Sequence, residues 1–225
     1  MAAVVAVIFD AYGTLLDLDS AMAPHAARLG PQWPALSAEW RAKQTEYTWV
    51  RTLAGPAQHR DFARLTDEAL DFVAARHAIT DTALLADLRA AYRRLGAWPD
   101  AKPMLEALRA AGIGRAILSN GTPAMLAEAT SAAGIDTLLD DILSVEAVGV
   151  FKPDPRVYRL ATARFAVPAS RLLFVSSNPW DAFGALHFGF PVAWINRHGL
   201  PDQYGLRGHV TELADLAALP AHLPQ

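Results

Sequence analysis

Val4-Val5-Ala6-Val7-Ile8-Phe9-Asp10-Ala11-Tyr12-Gly13-Thr14-Leu15 is the stretch that decides how the chain folds. Val4 to Phe9 is short, uncharged and rich in β-branched side chains, the pattern of a parallel strand covered on both faces. It stops abruptly at a carboxylate, Asp10, followed by a turn containing Gly13 and the hydroxyl of Thr14. In an open α/β sheet, ligands sit in the crevice outside the carboxyl ends of the strands, so an acid at this place is positioned for chemistry. The plain alternative is an aspartate that only caps its own turn.

Downstream, the same motif of apolar strand and polar end recurs. Ile113 to Leu118 reads as a strand ending in Ser119-Asn120-Gly121-Thr122, and Leu172 to Val175 as one ending in Ser176-Ser177-Asn178-Pro179-Trp180-Asp181. Asp141 to Val145 and Val192 to Ile195 are further strands. Helices are expected at Lys102 to Ala110, Pro123 to Ala133, Pro155 to Phe165 and Asp181 to Phe188, with a last helical stretch near Glu212 to Leu219. Repeated strand-helix-strand units imply an α/β fold with a parallel sheet and right-handed crossovers. Between Asp17 and Ala97 strand patterns vanish. Helices are expected from near Ser37 to Leu53, with Glu39 in the first turn, then from Asp61 to His77 on a Phe62, Leu65, Ala69, Phe72 and Val73 face, and from Asp81 to Leu95.

All carboxyl ends of a parallel sheet face one way, so Asp10, Ser119-Asn120, the Val150-Phe151-Lys152-Pro153-Asp154 loop and the Ser176 to Asp181 run should converge on one pocket. Singly, each residue suits a turn or helix start, Asp181 as a cap and Lys152 as a solvated lysine. Together they make a chemical set. Asp10 can attack carbon or phosphorus, splitting one hard step into two. Lys152 would keep it ionised. Asp181 could take a proton from water, and Ser119 and Asn120, with the N–H groups after Asp10, would hold an anionic part of a substrate.

Bulk properties bound the alternatives. The 225 residues allow one large domain carrying an insertion, and 52% hydrophobic content supports a sizeable core. A net charge of -3 without a basic run offers nothing to nucleic acid, and no apolar stretch is long enough for a membrane helix. Without cysteine there is neither a disulfide framework nor a thiolate metal site. The brief N-terminal apolar segment lacks a basic lead and runs into Asp10, so a strand is expected there, not a signal peptide, in a cytoplasmic protein.

In order and spacing, these motifs resemble those of the haloacid dehalogenase superfamily. Phe9-Asp10-Ala11-Tyr12-Gly13-Thr14 is similar to its nucleophile motif, Ser119-Asn120 to the second motif, Lys152-Pro153 to the third and Ser176 to Asp181 to the fourth. The resemblance implies a Rossmann-like parallel sheet with helices on both faces, made by residues 1-16 and 98-225. An inserted helical-bundle cap would span 17-97. Phosphatases of this superfamily carry a second aspartate two places after the nucleophile, as general acid for the leaving alcohol. Here that place is Tyr12, and Asn178-Pro179-Trp180-Asp181 lacks the paired acids of a Mg2+ site.

Both departures are similar to those of the (S)-2-haloacid dehalogenases, as are Glu39-Trp40-Arg41-Ala42-Lys43-Gln44 with Glu46-Tyr47-Thr48-Trp49, and Gly189-Phe190-Pro191 with Trp194-Ile195-Asn196-Arg197. The resemblance implies that Asp10 displaces halide from a short (S)-2-haloalkanoic acid with inversion. Water would then hydrolyse the resulting aspartyl ester to an (R)-2-hydroxy acid, with no cofactor and no metal. It assigns Arg41, Asn120 and Trp180 to the halide, and Ser119 with the N–H groups near Ala11 and Tyr12 to the substrate carboxylate. Tyr158 becomes a partner of Lys152 beside the substrate. Thr14, Ser176, Asn178 and Asp181 orient Lys152 and Asp10, with Asp181 activating water. A homodimer is implied as well. The rivals are a Mg2+-dependent phosphatase or phosphonatase acting on a small phosphorylated metabolite, and a non-catalytic domain binding a small acid or a protein.

Overall fold

The structure, a computed structural model, describes residues 3–223. Residues 1–2 and 224–225, the extremes of the expected core segments, lie outside the described residues. The chain begins with β1 (Ala6–Phe9), whose four side chains are all wholly buried. After the Asp10 turn come β2 (Leu16–Asp17), two 3-10 turns and the short helix α1 (Ala26–Leu29). The helices α2 (Trp33–Leu53), α3 (Phe62–Arg76) and α4 (Thr82–Arg93) follow. The chain returns through β3 (Gly96–Ala97), which pairs antiparallel with β2 and draws the two connections into one neck. Beyond the neck it alternates α5 (Ala101–Ala110), β4 (Gly114–Ser119), α6 (Pro123–Ala132), β5 (Asp141–Ser144), α7 (Pro155–Phe165), β6 (Leu172–Ser176), α8 (Pro179–Phe188), β7 (Val192–Ile195) and β8 (Thr211–Leu213).

The main sheet has strand order β5-β4-β1-β6-β7-β8, parallel throughout. β1 lies between β4 and β6, with Ile8 opposite Ala116 on one side and Phe174 on the other. Chain order reverses across β1, because the chain builds outward through β4 and β5 and then crosses to β6. That is the switch point at which an open α/β sheet leaves a crevice. Asp10 stands directly above it.

In the helical insert, α2 packs on α3, and the buried Trp40 ties them by donating from Nε1 to the Thr66 carbonyl at 2.9 Å. Tyr92 of α4 packs its ring against Trp40 with centroids 5.0 Å apart. Asp61 and Asp81 cap α3 and α4 by accepting from the N–H groups of Arg64 and Leu84, as N-terminal aspartates do. On α3 the buried face is Phe62, Leu65, Ala69, Leu70 and Val73, whereas Phe72 is only half buried.

Two expected elements differ. α2 starts at Trp33, four residues before Ser37, so Glu39 is in its second turn. Pro34 occupies the first turn, where its missing N–H costs nothing, and Ser37 is no cap but a buried side chain donating to Asp19 Oδ1. No helix spans Glu212 to Leu219. Thr211–Leu213 is β8, which covers the edge of β7, and a 3-10 turn at Leu219–His222 ends the described chain. Among the described residues no helix is long and apolar enough to cross a membrane.

Candidate active site

The site begins with the turn after β1. Gly13 has φ +85°, the left-handed region, and a Cβ there would come within 3.2 Å of Ser177 Oγ and 3.4 Å of Arg41 Nη2. This glycine lets the chain double back so that the Thr14 hydroxyl donates to Asp10 Oδ2 at 3.1 Å. The Ser177 N–H donates into the same hydroxyl at 2.9 Å, so Thr14 joins Asp10 to the loop after β6. The turn's own backbone bonds run from the N–H groups of Gly13, Thr14, Leu15 and Leu16, a set that omits Ala11 and Tyr12.

Asp10 is almost fully buried, with both oxygens held. Oδ1 accepts from Lys152 Nζ at 3.2 Å, and Oδ2 accepts from Asn178 Nδ2 at 2.8 Å as well as from Thr14. Asn178 also donates to the Tyr12 carbonyl at 3.1 Å, so one amide spans the turn. Lys152 is wholly buried and also donates to Asp181 Oδ2 at 2.8 Å. Burial alone would lower its ammonium, but the Asp10 and Asp181 charges outweigh that and hold it above the ordinary lysine value. Burial pushes Asp181 up to about 6, against the pull of Lys152.

The structure brings Asp10, Thr14, Lys152, Asn178 and Asp181 together as one hydrogen-bonded group. A cavity of about 390 Å³ lies over Asp10, lined also by Tyr12, Arg41, Ser119, Asn120 and Trp180. Arg41 reaches down from α2 and makes no hydrogen bond or ion pair among the described residues. Facing a cavity, such a guanidinium is a ready anion site. Asn120 Oδ1 accepts from the Lys152 N–H at 3.0 Å, which leaves its NH2 group as a donor. Trp180 stands edge-on to Trp49, with centroids 5.6 Å apart. Tyr12 packs against Phe62 and Tyr92. Burial, together with Tyr92 and the Asp10 charge, holds its phenol well above the usual range, so it is neutral at any physiological pH.

Three expected placements change. Tyr158 does not reach the cavity. It is wholly buried behind Asp181, donating to Asp181 Oδ1 at 2.8 Å, and it fits there because Gly184 has no Cβ, which would fall 2.5 Å from its hydroxyl. Its contact is with the aspartate, not the lysine or a substrate. Ser176 touches neither Lys152 nor Asp10 by hydrogen bond. Its hydroxyl accepts from the Asn178 N–H at 3.1 Å and so acts by shaping the turn that aims Asn178. Asp181 is wholly buried, outside the cavity lining, with Lys152 and Tyr158 on its two oxygens.

The walls that sequence reasoning did not assign are Leu18, Ala38, Gln44, Trp49 and Tyr92. Gln44 is locked by donating to Thr66 Oγ1 and accepting from the Tyr92 hydroxyl. Positions 38, 41, 42, 45 and 49 share one helical stripe, a signal that becomes useful once Arg41 is known to face the site.

The haloacid dehalogenase-like hydrolase family model matches residues 4–189. The chain is 46% identical over 220 residues to (S)-2-haloacid dehalogenase 4A of Burkholderia cepacia, covering 96% of this chain and 94% of that one. It is 45% identical to (S)-2-haloacid dehalogenase 1 of Pseudomonas sp. strain CBS-3, with 96% and 94% covered. Among solved structures, an L-2-haloacid dehalogenase from Xanthobacter autotrophicus with chloropropionic acid covalently bound superposes with TM-score 0.86, at 34% identity and 97% coverage of each chain. The match runs through strand ends, helical insert and site alike, and on it the chain belongs to the haloacid dehalogenase-like hydrolases, among the (S)-2-haloacid dehalogenases.

Proposed function

We propose that this chain hydrolyses (S)-2-haloalkanoic acids to (R)-2-hydroxyalkanoic acids through an ester on Asp10. The observation that carries this reading is the buried Asp10 carboxylate at the floor of a cavity whose wall holds the unpaired Arg41 cation. Thr14, Asn178 and Lys152 aim the nucleophile. The substrate carboxylate rests on Ser119 and the Ala11 and Tyr12 N–H groups, and the halogen points to Arg41, Asn120 and Trp180. An Asp10 oxygen attacks C2 from the side opposite the halogen, the C–O bond forms, and the C–halogen electron pair departs with the halide. Halide is a stable anion and needs no proton, which agrees with a neutral Tyr12 phenol at the place where a phosphatase carries its general acid.

Water then attacks the carbonyl carbon of the Asp10 ester. The acyl C–O bond breaks, Asp10 returns as a carboxylate, and the product keeps the oxygen that Asp10 supplied. Once Asp10 is esterified it no longer carries charge, and Asp181 is the remaining carboxylate on Lys152. Asp181 lies behind Lys152, outside the cavity lining, so in this reading it receives the water's proton through Lys152. Lys152 passes one ammonium proton to Asp181 Oδ2 as it accepts the one from water, and a value of about 6 suits such a base near neutrality. A base must be ionised, and loss of the Asp10 charge in the ester removes one of the causes that raise Asp181, bringing it down from that value. The kcat profile is therefore expected to fall on the acid side at or below about pH 6. A profile flat to pH 4 would remove Asp181 from this role.

The deciding experiment is halide release from racemic 2-chloropropionate in EDTA, with the product resolved by chiral chromatography. Consumption of the (S) enantiomer alone to (R)-lactate, untouched by chelator, is expected. Silence there, with Mg2+-dependent phosphate release from a phosphate ester, would place the chain with the phosphatases. The same reading includes a cytoplasmic setting, which a cysteine-free chain suits, and a homodimer, to be checked by sedimentation.

A further inference from the structure

In the loop that carries Lys152, two consecutive N–H groups rest on side chains. Those of Val148, Gly149 and Asp154 donate to the carbonyls of Val145 and Phe151. The Lys152 N–H instead donates to Asn120 Oδ1 at 3.0 Å, and the Phe151 N–H to Thr52 Oγ1 at 3.1 Å. Asn120 belongs to the site. Thr52 belongs to the last turn of α2, so a side chain of the helical insert holds the residue next to Lys152.

The insert grips the same residue a second time. After α2 the chain passes through a 3-10 turn, Pro56–Gln58, and lays the His59 ring against Phe151, with centroids 5.1 Å apart and planes 28° from parallel. Phe151 is wholly buried, and its ring also meets Phe62 at the start of α3. His59 Nε2 donates to Glu146 Oε2 at 3.2 Å, since a carboxylate can only accept. Glu146 Oε1 is buried without a hydrogen-bond partner among the described residues, so His59 is what pins this carboxylate. The Glu146 N–H donates to Ser144 Oγ at 3.2 Å, and that hydroxyl donates to the Gly121 carbonyl at 2.7 Å, directly after Asn120. Thr52, His59 and Glu146 all stand outside the lining of the cavity over Asp10.

We infer that Thr52, His59 and Glu146 are positioning residues, a clasp by which the helical insert sets the Phe151–Lys152 loop and, through Ser144, the Asn120–Gly121 turn. It rests on the dehalogenase reading, in which Lys152 and Asn120 are working parts. Lys152 Nζ spans Asp10 at 3.2 Å and Asp181 at 2.8 Å. A loop displaced by a fraction of an ångström loosens both contacts at once, and misplacement by a full ångström costs about 10²-fold in rate.

The test uses three variants. Thr52→Val keeps the branched shape and removes the hydroxyl, Thr52→Ser keeps the hydroxyl, and His59→Phe keeps a ring on Phe151 and removes Nε2. Halide release from (S)-2-bromopropionate gives kcat across pH. In Thr52→Val kcat is expected to fall by about tenfold, and in Thr52→Ser to stay within about twofold of wild type. The titratable groups facing Asp181 are Lys152, Asp10 and Tyr158, and Thr52→Val alters none of them. A looser Lys152 holds Asp181 down less, so the acid limb of kcat is expected to move up by about half a pH unit, part of what a full opposite charge exerts. A smaller folded fraction would lower kcat and leave that limb in place. His59→Phe is expected to lower kcat and move the limb in the same sense. Hydrogen exchange of the peptide from Val148 to Asp154, followed by mass spectrometry, reads the loop without turnover: faster in Thr52→Val, at the wild-type rate in Thr52→Ser. Unchanged kcat or exchange in Thr52→Val, or a fall in kcat with the limb unmoved, would overturn the clasp. No halide from the wild type would overturn the dehalogenase reading itself, and the exchange rates would still decide whether Thr52 holds the loop.

Discussion

Replacing Asp10 by asparagine is expected to leave the fold intact and to abolish halide release, by at least about 10⁴-fold, the scale on which removing a covalent nucleophile acts. Asparagine conserves volume, and its carbonyl can still accept from Thr14 and Asn178, which both donate to Oδ2. What it loses is the negative charge and the oxygen that attacks carbon. Electrostatics should not unfold the variant, because Lys152 keeps Asp181 at 2.8 Å as a counter-charge. Circular dichroism and a thermal melt close to wild type, with no halide in a prolonged incubation, is the expected pair of results. Substantial residual turnover would show that Asp10 is not the nucleophile.

Lys152→Met has the largest expected effect on stability. The lysine is wholly buried between two carboxylates, at 3.2 Å from Asp10 and 2.8 Å from Asp181. Methionine fills similar space without the charge and leaves two acids facing each other. Removing one partner of a buried ion pair costs about 3–5 kcal/mol, and for a chain of this size that is a fall of roughly 6–20 °C in Tm. Activity should drop by at least about 10³-fold, since the nucleophile loses both its counter-charge and its aim. The pH dependence has a definite sign. Without Lys152 to lower it, Asp181, already at about 6, is raised further. A carboxyl whose folded value lies above its unfolded value takes up protons on folding, so the variant loses stability as pH rises from about 4 through that raised value. Chemical denaturation at pH 5 and pH 8 checks this. A deficit larger at pH 5 would contradict the placing of Lys152 between Asp10 and Asp181. Arginine should not restore function, because a planar fork cannot replace a compact ammonium between the two acids.

Much of the sheet was legible in the sequence for one reason: β1, β4 and β6 are buried on both faces, so their apolar runs are continuous and end visibly in polar residues. Where burial is partial the reading failed. Leu213, Leu216 and Leu219 are all buried and spaced three apart, imitating a helix face, but Leu213 belongs to an edge strand and the others to turns. Sequence reading identified Asp10, Lys152 and Asp181 through chemistry at strand ends, yet not their order in space. Whether Tyr158 lay before or behind Lys152 depended on Gly184, whose missing Cβ opens room on the far side. The cavity walls were harder still. Gln44 and Tyr92 come from α2 and α4, and what turns both to the cavity is the packing of Trp40 on Tyr92 and the Gln44–Thr66–Tyr92 hydrogen bonds.

The measurement that bears most directly on the ester is a single turnover in oxygen-18 water, with enzyme in excess over (S)-2-bromopropionate. If water attacks the carbonyl of an Asp10 ester, the label enters the Asp10 carboxylate, found by mass spectrometry of the peptide containing it, and the lactate of that first turnover is unlabelled. Label in the lactate hydroxyl with an unlabelled Asp10 would mean that water attacks C2 directly, and would contradict a covalent role for Asp10.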